Sequence, residues 1–504
     1  MKFPAFALLD QDQRAVFSES PKDEGVVIVG PPGSGKTVLA LHRAVRLAET
    51  GKVTLGMYNK TLRAYTSNFE DLPDNVEVLH VHDWVKQWYK SGFNKKRWPY
   101  YPYIGQEKFN IDWDQIDNDL TNATSEQKRK LHWGHLIIDE GQDFSKKMYS
   151  TLMKYLRKQN DETLTLSVFA DENQTIFDVN SSIIEIREEL NATAANKRYW
   201  RVDKNYRNTK QVAQFARHFQ VLGSGSVTLP DQEGLKPVIF VNKDLDKQIQ
   251  HIINYCNVQP KKEIGLVVFG TNVNVRDIYK TIKSNLEAKQ SKYLVQTYIG
   301  EKRFGLNDWE NLTFDKPPSI TILHQTNSKG LEFDVVFVIN LPAIFQNTSD
   351  EIAGFKKLYV VSSRPRQHLF YMIEGSPDKG GFKDVIKLFP KPNGEDALCT
   401  YTTTEKDLEP ALGGMLSDVE WLPSAAVLKR EKFGELARIM SELDFEKVIE
   451  IFSEAVSNQF DSDHIPQLIE RRLLESSDIE EAILDTLVEL NNRSIKNIKD
   501  KIEF

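Results

Sequence analysis

A glycine-rich segment near the start of the chain has the residue types and spacing that bind a nucleotide phosphate. It runs Gly30-Pro-Pro-Gly-Ser-Gly-Lys-Thr37, between the apolar run Val26–Val29 and a helical pattern. Glycines let backbone N–H groups close around phosphate oxygens, the N-terminus of the next helix adds positive potential, and the lysine reaches the β- and γ-phosphates. A glycine-proline turn before a helix is the competing interpretation. The pattern predicts a nucleotide site at Gly30, Gly33, Ser34, Gly35, Lys36 and Thr37.

An acidic run after a second strand candidate supplies the remaining groups for hydrolysis. Leu136–Ile138 is followed by Asp139-Glu140-Gly141-Gln142-Asp143. A carboxylate at a strand end can complete a Mg²⁺ shell together with a hydroxyl, so Thr37 and Asp139 are the predicted metal ligands. Glu140 is then placed to orient and deprotonate an attacking water. Alone the run could be a solvated acidic loop, but together with the phosphate loop it predicts hydrolysis of ATP with Mg²⁺.

The elements that must position these groups alternate between short apolar runs and amphipathic helical patterns through about residue 390. Nearly continuous apolar runs are typical of strands in a parallel sheet that is covered on both faces. The order therefore predicts an α/β fold with enough strands for two sheets and a joint near 191–204. After Pro390-Lys-Pro-Asn-Gly394 the pattern becomes helical, which predicts a C-terminal helical bundle. The predicted strands are Val26–Val29, Val53–Met57, Leu136–Ile138, Leu164–Phe169, Pro237–Phe240, Ile264–Phe269, Ile320–Leu323, Val335–Ile339 and Leu369–Ile373.

The net charge of the 504-residue chain, −7, is distributed unevenly. Residues 401–504 hold 12 basic and 23 acidic residues, a net charge of −11, whereas the preceding 400 residues carry +4. A mildly basic body is compatible with a polyanion such as a nucleic-acid strand, while an acidic tail repels phosphate. The tail is therefore expected to bind a protein partner or to pack on the body, and a stabilising appendage is the alternative.

Cysteine count and hydropathy exclude other classes of protein. Two cysteines, Cys256 and Cys399, are too few for a disulfide framework or a cysteine-rich metal site. No apolar run approaches the ~18 residues that a membrane span needs. The expected location is cytoplasmic, without membrane contact.

Several motifs, in order along the chain, resemble those of the UvrD/Rep-like helicases of superfamily 1. The run Asp139–Asp143 is similar to that family's Asp-Glu-x-Gln-Asp signature. The resemblance covers about residues 5–375 and implies two RecA-like P-loop domains with ATP between them. The other matching segments are Leu9-x-x-x-Gln13-Arg14-x-Val16, Met57-Tyr-Asn-Lys60, Val81-His-Asp-Trp84, Ala170-Asp-Glu-Asn-Gln174-Thr-Ile-Phe177, Asn205-Tyr-Arg207, Lys329-Gly-Leu-Glu-Phe333 and Ser363-Arg-Pro-Arg366.

The resemblance implies a role for each matching position at the nucleotide. Gln13 would hold the adenine edge and Tyr206 would stack on its ring. Gln174 would sense the γ-phosphate, and Arg207 and Arg364 would reach that phosphate from the second domain, although either arginine alone could be a surface ion pair. Glu332 would contact the ribose. Gly330, in the same motif, is also predicted to be a nucleotide-binding position.

Contacts to a nucleic-acid strand are predicted at two sets of positions. By resemblance they are Met57, Trp84 and Phe177. From composition they are Lys96, Arg97 and Trp98, because 94–103 interleaves basic and aromatic side chains that can pair with phosphates and stack on bases. A proline-rich loop that packs its aromatic side chains on the first domain is the alternative interpretation of that segment.

The chain also departs from the family in the parts that grip a strand. Only 54 residues separate Trp84 from Asp139, and 121 separate Arg207 from Lys329, too few for the large inserted subdomains. The tryptophan expected after Phe177 is missing, and Thr326 replaces a histidine. The predicted domains are 1–195, with a short insertion near 90–130, then 196–392, and an acidic helical domain at 393–504.

Two functions are expected from these motifs. The first is an ATP-dependent helicase or translocase, with 3′-to-5′ polarity as the family implies, acting on single-stranded DNA or RNA. The second is an ATPase switch gated by nucleic acid or a partner, within a complex that unwinds little. Small helicase-like proteins stand beside nucleases in bacterial antiviral defence systems, and that analogy motivates the second.

Overall fold

The protein, described by a computed structural model, contains two parallel β-sheets with helices on their faces. The structure describes residues 6, 9–57, 72–93, 111–159, 161–171, 181–221, 228–300, 304–306, 312–345, 350–375, 382–392, 397–406 and 408–428, with the single residues 440, 448 and 483. None of the helices in this part of the chain combines the length and the apolar composition that a membrane span requires.

The first sheet has six strands. They are Gly25–Val29 (β1), Val53–Met57 (β2), Val76–His80 (β3), His135–Ile138 (β4), Thr165–Ala170 (β5) and Tyr199–Arg201 (β6), in the order β3-β2-β4-β5-β1-β6. The helices are Gln11–Glu19 (α1), Lys36–Ala48 (α2), Val81–Phe93 (α3), Trp113–Thr121 (α4), Ser125–Lys130 (α5), Lys146–Gln159 (α6) and Ile183–Glu189 (α7). Alternate β1 side chains enter different apolar clusters, one with α2 and one with α6, so both faces of the sheet are covered.

The second sheet has seven strands. They are Val238–Asn242 (β7), Glu263–Val268 (β8), Leu294–Tyr298 (β9), Ser319–His324 (β10), Phe333–Ile339 (β11), Pro365–Glu374 (β12) and Thr400–Thr402 (β13), in the order β13-β7-β12-β11-β8-β10-β9. The helices are Lys210–Arg217 (α8), Leu245–Val258 (α9), Asn272–Ala288 (α10), Glu351–Ser362 (α11), Phe382–Ile386 (α12) and Glu409–Ser417 (α13). All pairings in both sheets are parallel, as the continuous apolar runs predict.

The expected α/β fold with two RecA-like parallel sheets is confirmed, but two strands lie beyond the predicted domain bounds. Tyr199–Arg201 falls after residue 195 yet pairs with β1 in the first sheet. Thr400–Thr402 falls after residue 392 yet pairs with β7 in the second sheet. Backbone hydrogen bonds of a short edge strand need no apolar run, so these two strands left no signal in the hydropathy pattern.

The described part of the acidic tail packs on the body of the chain, next to the segments that contain His218 and Lys387. Val419, Ala425, Met440, Val448 and Ile483 are buried in the apolar cluster that contains β11 and β12 side chains. The backbone is anchored too, since Leu422 N–H donates to Lys387 O and Ala425 N–H donates to His218 O, each at 2.9 Å. The predicted capping box at 477–480 and most of the predicted helical bundle lie outside the described residues.

This packing predicts different costs for one substitution at two valines of the tail. Val419 is 7% exposed in the core cluster and Val427 is 44% exposed. Val419→Ala should lower the free energy of unfolding by about 1–3 kcal/mol, through lost burial and a residual cavity. Val427→Ala should change it by less than about 0.5 kcal/mol. Urea unfolding of the full chain measures both, and equal effects would contradict the docking of the tail.

Candidate functional site

The phosphate loop connects the end of β1 to the start of α2. Gly33 and Gly35 have φ angles of +79° and +83°, a region that favours glycine. A Cβ on Gly33 would lie 2.4 Å from Asn205 Oδ1, so the loop also needs glycine where this segment approaches it. The hydroxyl of Ser34 is buried without a hydrogen-bond partner, which suits a phosphate oxygen as its missing partner. The loop is therefore built to receive an anion.

Lys36 and Thr37 begin α2 and face the end of the sheet. The Lys36 ammonium donates to the carbonyls of Gly30 and Pro31, at 2.6 and 2.9 Å, and lies 3.4 Å from Asp171 Oδ2. The Thr37 hydroxyl donates to Asp139 Oδ2 at 2.7 Å. A buried ammonium held by carbonyls and one carboxylate can exchange these contacts for phosphate oxygens.

Thr37 and Asp139 together form a candidate Mg²⁺ site. Burial, and then the neighbouring charge of Glu140, raise the pKa of Asp139 to about 6, although the hydrogen bond from Thr37 opposes the shift. A divalent cation would stabilise the ionised form of this carboxylate. Within the described residues no group of three or more acidic, histidine or cysteine side chains could hold a metal. A hydroxyl and one carboxylate suffice where phosphate oxygens and water complete the shell.

Glu140 lies beside this pair with its carboxylate in a defined position. Its φ of +55° puts it in the left-handed region, and its Oε2 accepts a 2.6 Å hydrogen bond from Gln142 Nε2. Burial acts to raise the pKa of Glu140, but the charges of Lys329, Lys36 and Arg364 lower it below its usual value. The side chain is therefore ionised and can accept a proton from water.

Two arginines that follow the first sheet in the chain act on each other at this site, and the charge of one of them, Arg364, acts on Glu140. Arg207 Nε donates to Glu332 Oε2 at 2.7 Å. Arg364 is fully buried, and its guanidinium donates to the carbonyl of Val360 at 2.7 Å and to the hydroxyl of Ser363 at 2.9 Å. Burial and the charge of Arg207 lower the pKa of Arg364 to about 10, so it still carries its charge at neutral pH.

A buried ion pair joins the two sheets. The Lys329 ammonium lies 2.7 and 2.6 Å from the two carboxylate oxygens of Asp143, and 3.8 Å from Glu140 Oε2. The side chains of Lys329 and Asp143 are each 2% exposed. Burial raises the pKa of Asp143 to about 6, while Lys329 opposes that shift. Neither charge has solvent to stabilise it, so each depends on the other.

The remaining predicted nucleotide positions lie around the same loop. Gln13 Nε2 donates to Ser34 O at 3.0 Å, and Tyr206 N–H donates to Gly33 O at 2.8 Å. The Tyr206 ring is 43% exposed, which leaves a face open for stacking. Gly330 has a φ of +78°, in the turn between Lys329 and Glu332. Gln174 lies outside the described residues.

Two of the residues predicted to contact a nucleic-acid strand are buried in the structure. Met57 is 0% exposed and belongs to the apolar core. Trp84 is 4% exposed; its ring stacks on Trp88 at 5.4 Å and meets Trp133 edge-on at 6.2 Å. Neither side chain exposes surface to a strand in this arrangement, and the nucleic-acid contact stays a prediction for both residues. Phe177, Lys96, Arg97 and Trp98 lie outside the described residues.

Sequence reasoning missed the charged residues that hold the site together: Asp143, Asp171, Lys329 and Arg366. Three of them contact a predicted site residue directly, Asp171 at Lys36, Lys329 at Glu140, and Arg366 at Glu332. Asp143 is reached through Lys329. All four lie inside the segments that match the helicase motifs, so their charge within a motif was the signal that could have identified them as site residues. The spacing along the sequence does not indicate which residues they pair with.

Comparison with known proteins places a P-loop domain in the first part of the chain. Residues 12–180 match the model of a family described as an AAA domain, which shows a P-loop nucleotide-binding domain in that range. No curated protein matches the sequence. Among solved structures, the C-terminal domain of a possible DNA helicase from Lactobacillus plantarum WCFS1 is similar at 20% identity and a TM-score of 0.26, over 39% of this chain and 98% of that chain. So low a TM-score supports no conclusion about fold or function.

The buried pair predicts a large and pH-dependent cost for removing its cation. Lys329→Met should lower the free energy of unfolding by about 3–5 kcal/mol, because Asp143 is left buried and unpaired. Loss of the cation raises the pKa of Asp143 further above its unfolded value, so the carboxyl takes up a proton on folding and the deficit grows as pH rises. Urea unfolding at several pH values measures this.

Matched variants distinguish the loss of the buried ion pair from the loss of a lysine charge elsewhere on the protein. Lys283→Met removes an exposed lysine, 4.0 Å from Glu287, and should cost less than about 1 kcal/mol. The double variant Lys329→Met with Asp143→Leu should recover part of the lost stability, since the unpaired charge at position 143 is removed while Glu140 still lacks its neighbouring ammonium. Equal effects of the two lysine variants would contradict the assignment.

Proposed function

We propose that this protein is an ATP-dependent nucleic-acid motor of the UvrD/Rep type, a helicase or translocase that hydrolyses ATP between two RecA-like domains. The observation that carries the proposal is one juxtaposition. The Thr37–Asp139 hydrogen bond and the ionised Glu140 lie on the first sheet, and the charges of Lys329 and Arg364 from the second domain act on that same Glu140. A hydrolytic site of this kind is complete only when both domains contribute.

Each residue of the first domain has a defined task in hydrolysis. Lys36 exchanges its carbonyl contacts for the β- and γ-phosphates, and Gln13 and Tyr206 bind the adenine. Mg²⁺, held by Thr37 and Asp139, would neutralise charge on the phosphate oxygens. Glu140, which its lowered pKa keeps ionised, orients the attacking water and accepts its proton.

The second domain contributes positive charge at the transition state. Arg207 and Arg364 neutralise the charge that develops on the γ-phosphate, with Gln174 as its sensor. Arg207 must leave Glu332 to do so, and Glu332 is then available to the ribose. Because these groups reach the phosphate only when the domains close on it, the cycle of hydrolysis opens and closes the cleft. The motor moves 3′ to 5′ along single-stranded DNA, as the resemblance implies.

The second candidate is a gated ATPase switch within a complex. The burial of Met57 and Trp84 favours it, because two side chains expected at the strand are covered while the phosphate loop and its acidic partners lie together. The segments too short for the large inserted subdomains also favour the switch. In this case closure of the cleft is transmitted to a protein docked on the acidic tail, for example a nuclease in a bacterial antiviral defence system. The nucleic acid that gates the ATPase is then either DNA or RNA.

The ATP site predicts distinct defects for two substitutions. Lys36→Ala should abolish ATP turnover, because no other ammonium of the phosphate loop reaches the phosphates. Glu140→Gln should preserve ATP binding but lower kcat by about 10²–10⁴-fold, since the proton acceptor is lost. Lys52→Ala, at an exposed ion pair with Glu77, is the matched control and should leave turnover unchanged. Steady-state ATPase assays and fluorescent-nucleotide binding measure both, and turnover retained by either site variant would contradict the site.

Strand displacement separates the two candidate functions. The motor predicts ATPase activity stimulated by single-stranded DNA, and release of a labelled strand from a duplex with a 3′ tail but not from one with a 5′ tail. The assay uses low salt, because phosphate contacts weaken steeply with ionic strength. Stimulated hydrolysis without displacement supports the switch. Displacement from the 5′-tailed duplex alone would overturn the proposed polarity.

A further inference from the structure

Arg366, the second residue of β12, lies among four carboxylates. Its guanidinium donates to Glu263 Oε2 at 2.8 Å, to Asp334 Oδ1 at 3.1 Å, to Asp315 Oδ1 at 3.3 Å and to Glu332 Oε1 at 3.4 Å. Burial acts to lower the pKa of Arg366, but the charges of Glu332, Asp334 and Glu263 raise it above its usual value. The guanidinium is therefore a permanent cation at the centre of an acidic cluster.

The cluster joins the first residues of three neighbouring strands. Glu263 begins β8, Asp334 is the second residue of β11, and Arg366 is the second residue of β12. Backbone groups add to it, since Glu263 N–H donates to Asp334 Oδ2 and Asp315 N–H donates to Glu263 Oε1, each at 3.0 Å. Parallel strands that begin side by side place these groups at one edge of the sheet, next to Arg364.

Glu332 is shared between this cluster and the nucleotide site. Its Oε1 faces Arg366, while its Oε2 accepts the hydrogen bond from Arg207 at 2.7 Å. Burial acts to raise the pKa of Glu332, but Arg207 and Arg366 lower it below the usual value. The carboxylate is therefore ionised and held from both sides, with a separate oxygen for each guanidinium.

We infer that Arg366 is a positioning residue for ATP hydrolysis, which holds Glu332 in place while Arg207 leaves that carboxylate for the phosphate. The inference rests on the proposed ATPase function. A guanidinium has the five donors and the planar shape that four surrounding carboxylates require, and an ammonium does not. Without this orientation Glu332 would be free to follow Arg207 or to turn away, and the arginine would lose its fixed starting point.

The test is a double-mutant cycle in ATP turnover. Arg366→Gln and Glu332→Gln should each lower kcat/KM by about 10–100-fold, the cost of misplacing groups at a reacting centre. Arg366→Gln in the Glu332→Gln background should add less than about twofold, because both act through one carboxylate. If the double variant instead loses kcat/KM by the product of the two single-variant losses, the inference is overturned.

Arg366→Lys keeps the inference testable if the glutamine variant fails to fold. It retains the charge and should melt at a higher temperature than Arg366→Gln, but its kcat/KM should still be lowered. Full activity of Arg366→Lys would show that charge alone matters, and would overturn the positioning role. Arg198→Gln is the matched control, an arginine that contacts Asp23 and Glu24 at the first sheet, and it should leave kcat/KM unchanged. A wild-type chain without ATPase activity is a separate result that overturns the proposed function, and this inference with it.

Discussion

Charge buried between two sheets is the constraint on which the rest of this structure depends. Asp139, Glu140 and Asp143 stand at the end of one strand of the first sheet, out of reach of solvent. Carboxylates that are this close raise one another's free energy, so cations must compensate them. Part of that compensation comes from the second domain, through Lys329 and Arg364. The electrostatics of the site and the contact between the domains are therefore the same interaction.

The same constraint explains why the cations of the site are engaged with protein groups. Lys36 is held by carbonyl oxygens and Arg207 by the carboxylate of Glu332. An unpaired buried charge costs several kcal/mol, so each cation takes the best available partner. In the proposed function, a triphosphate offers stronger partners to both of them. Exchange of these partners would then give nucleotide binding a means to change how the two domains contact each other.

The strands that sequence analysis found differ from those it missed by their place in the sheet. All nine predicted strands are present, and they are interior strands with apolar side chains on both faces. The four that it missed are Val76–His80, Tyr199–Arg201, Leu294–Tyr298 and Thr400–Thr402, which are the four edge strands. An edge strand is half exposed and held largely by backbone hydrogen bonds, so its hydropathy resembles that of a loop.

The α/β class and the phosphate loop with its acidic partners can be predicted from the amino-acid sequence, because periodicity and local spacing are encoded within single segments. Tertiary structure alone decided the pairings of Arg207 with Glu332 and Lys329 with Asp143, which are separated by 125 and 186 residues. It also decided that Met57 and Trp84 are core residues. Whether an aromatic side chain faces solvent or a neighbouring ring depends on how distant elements pack, and no local pattern records that arrangement.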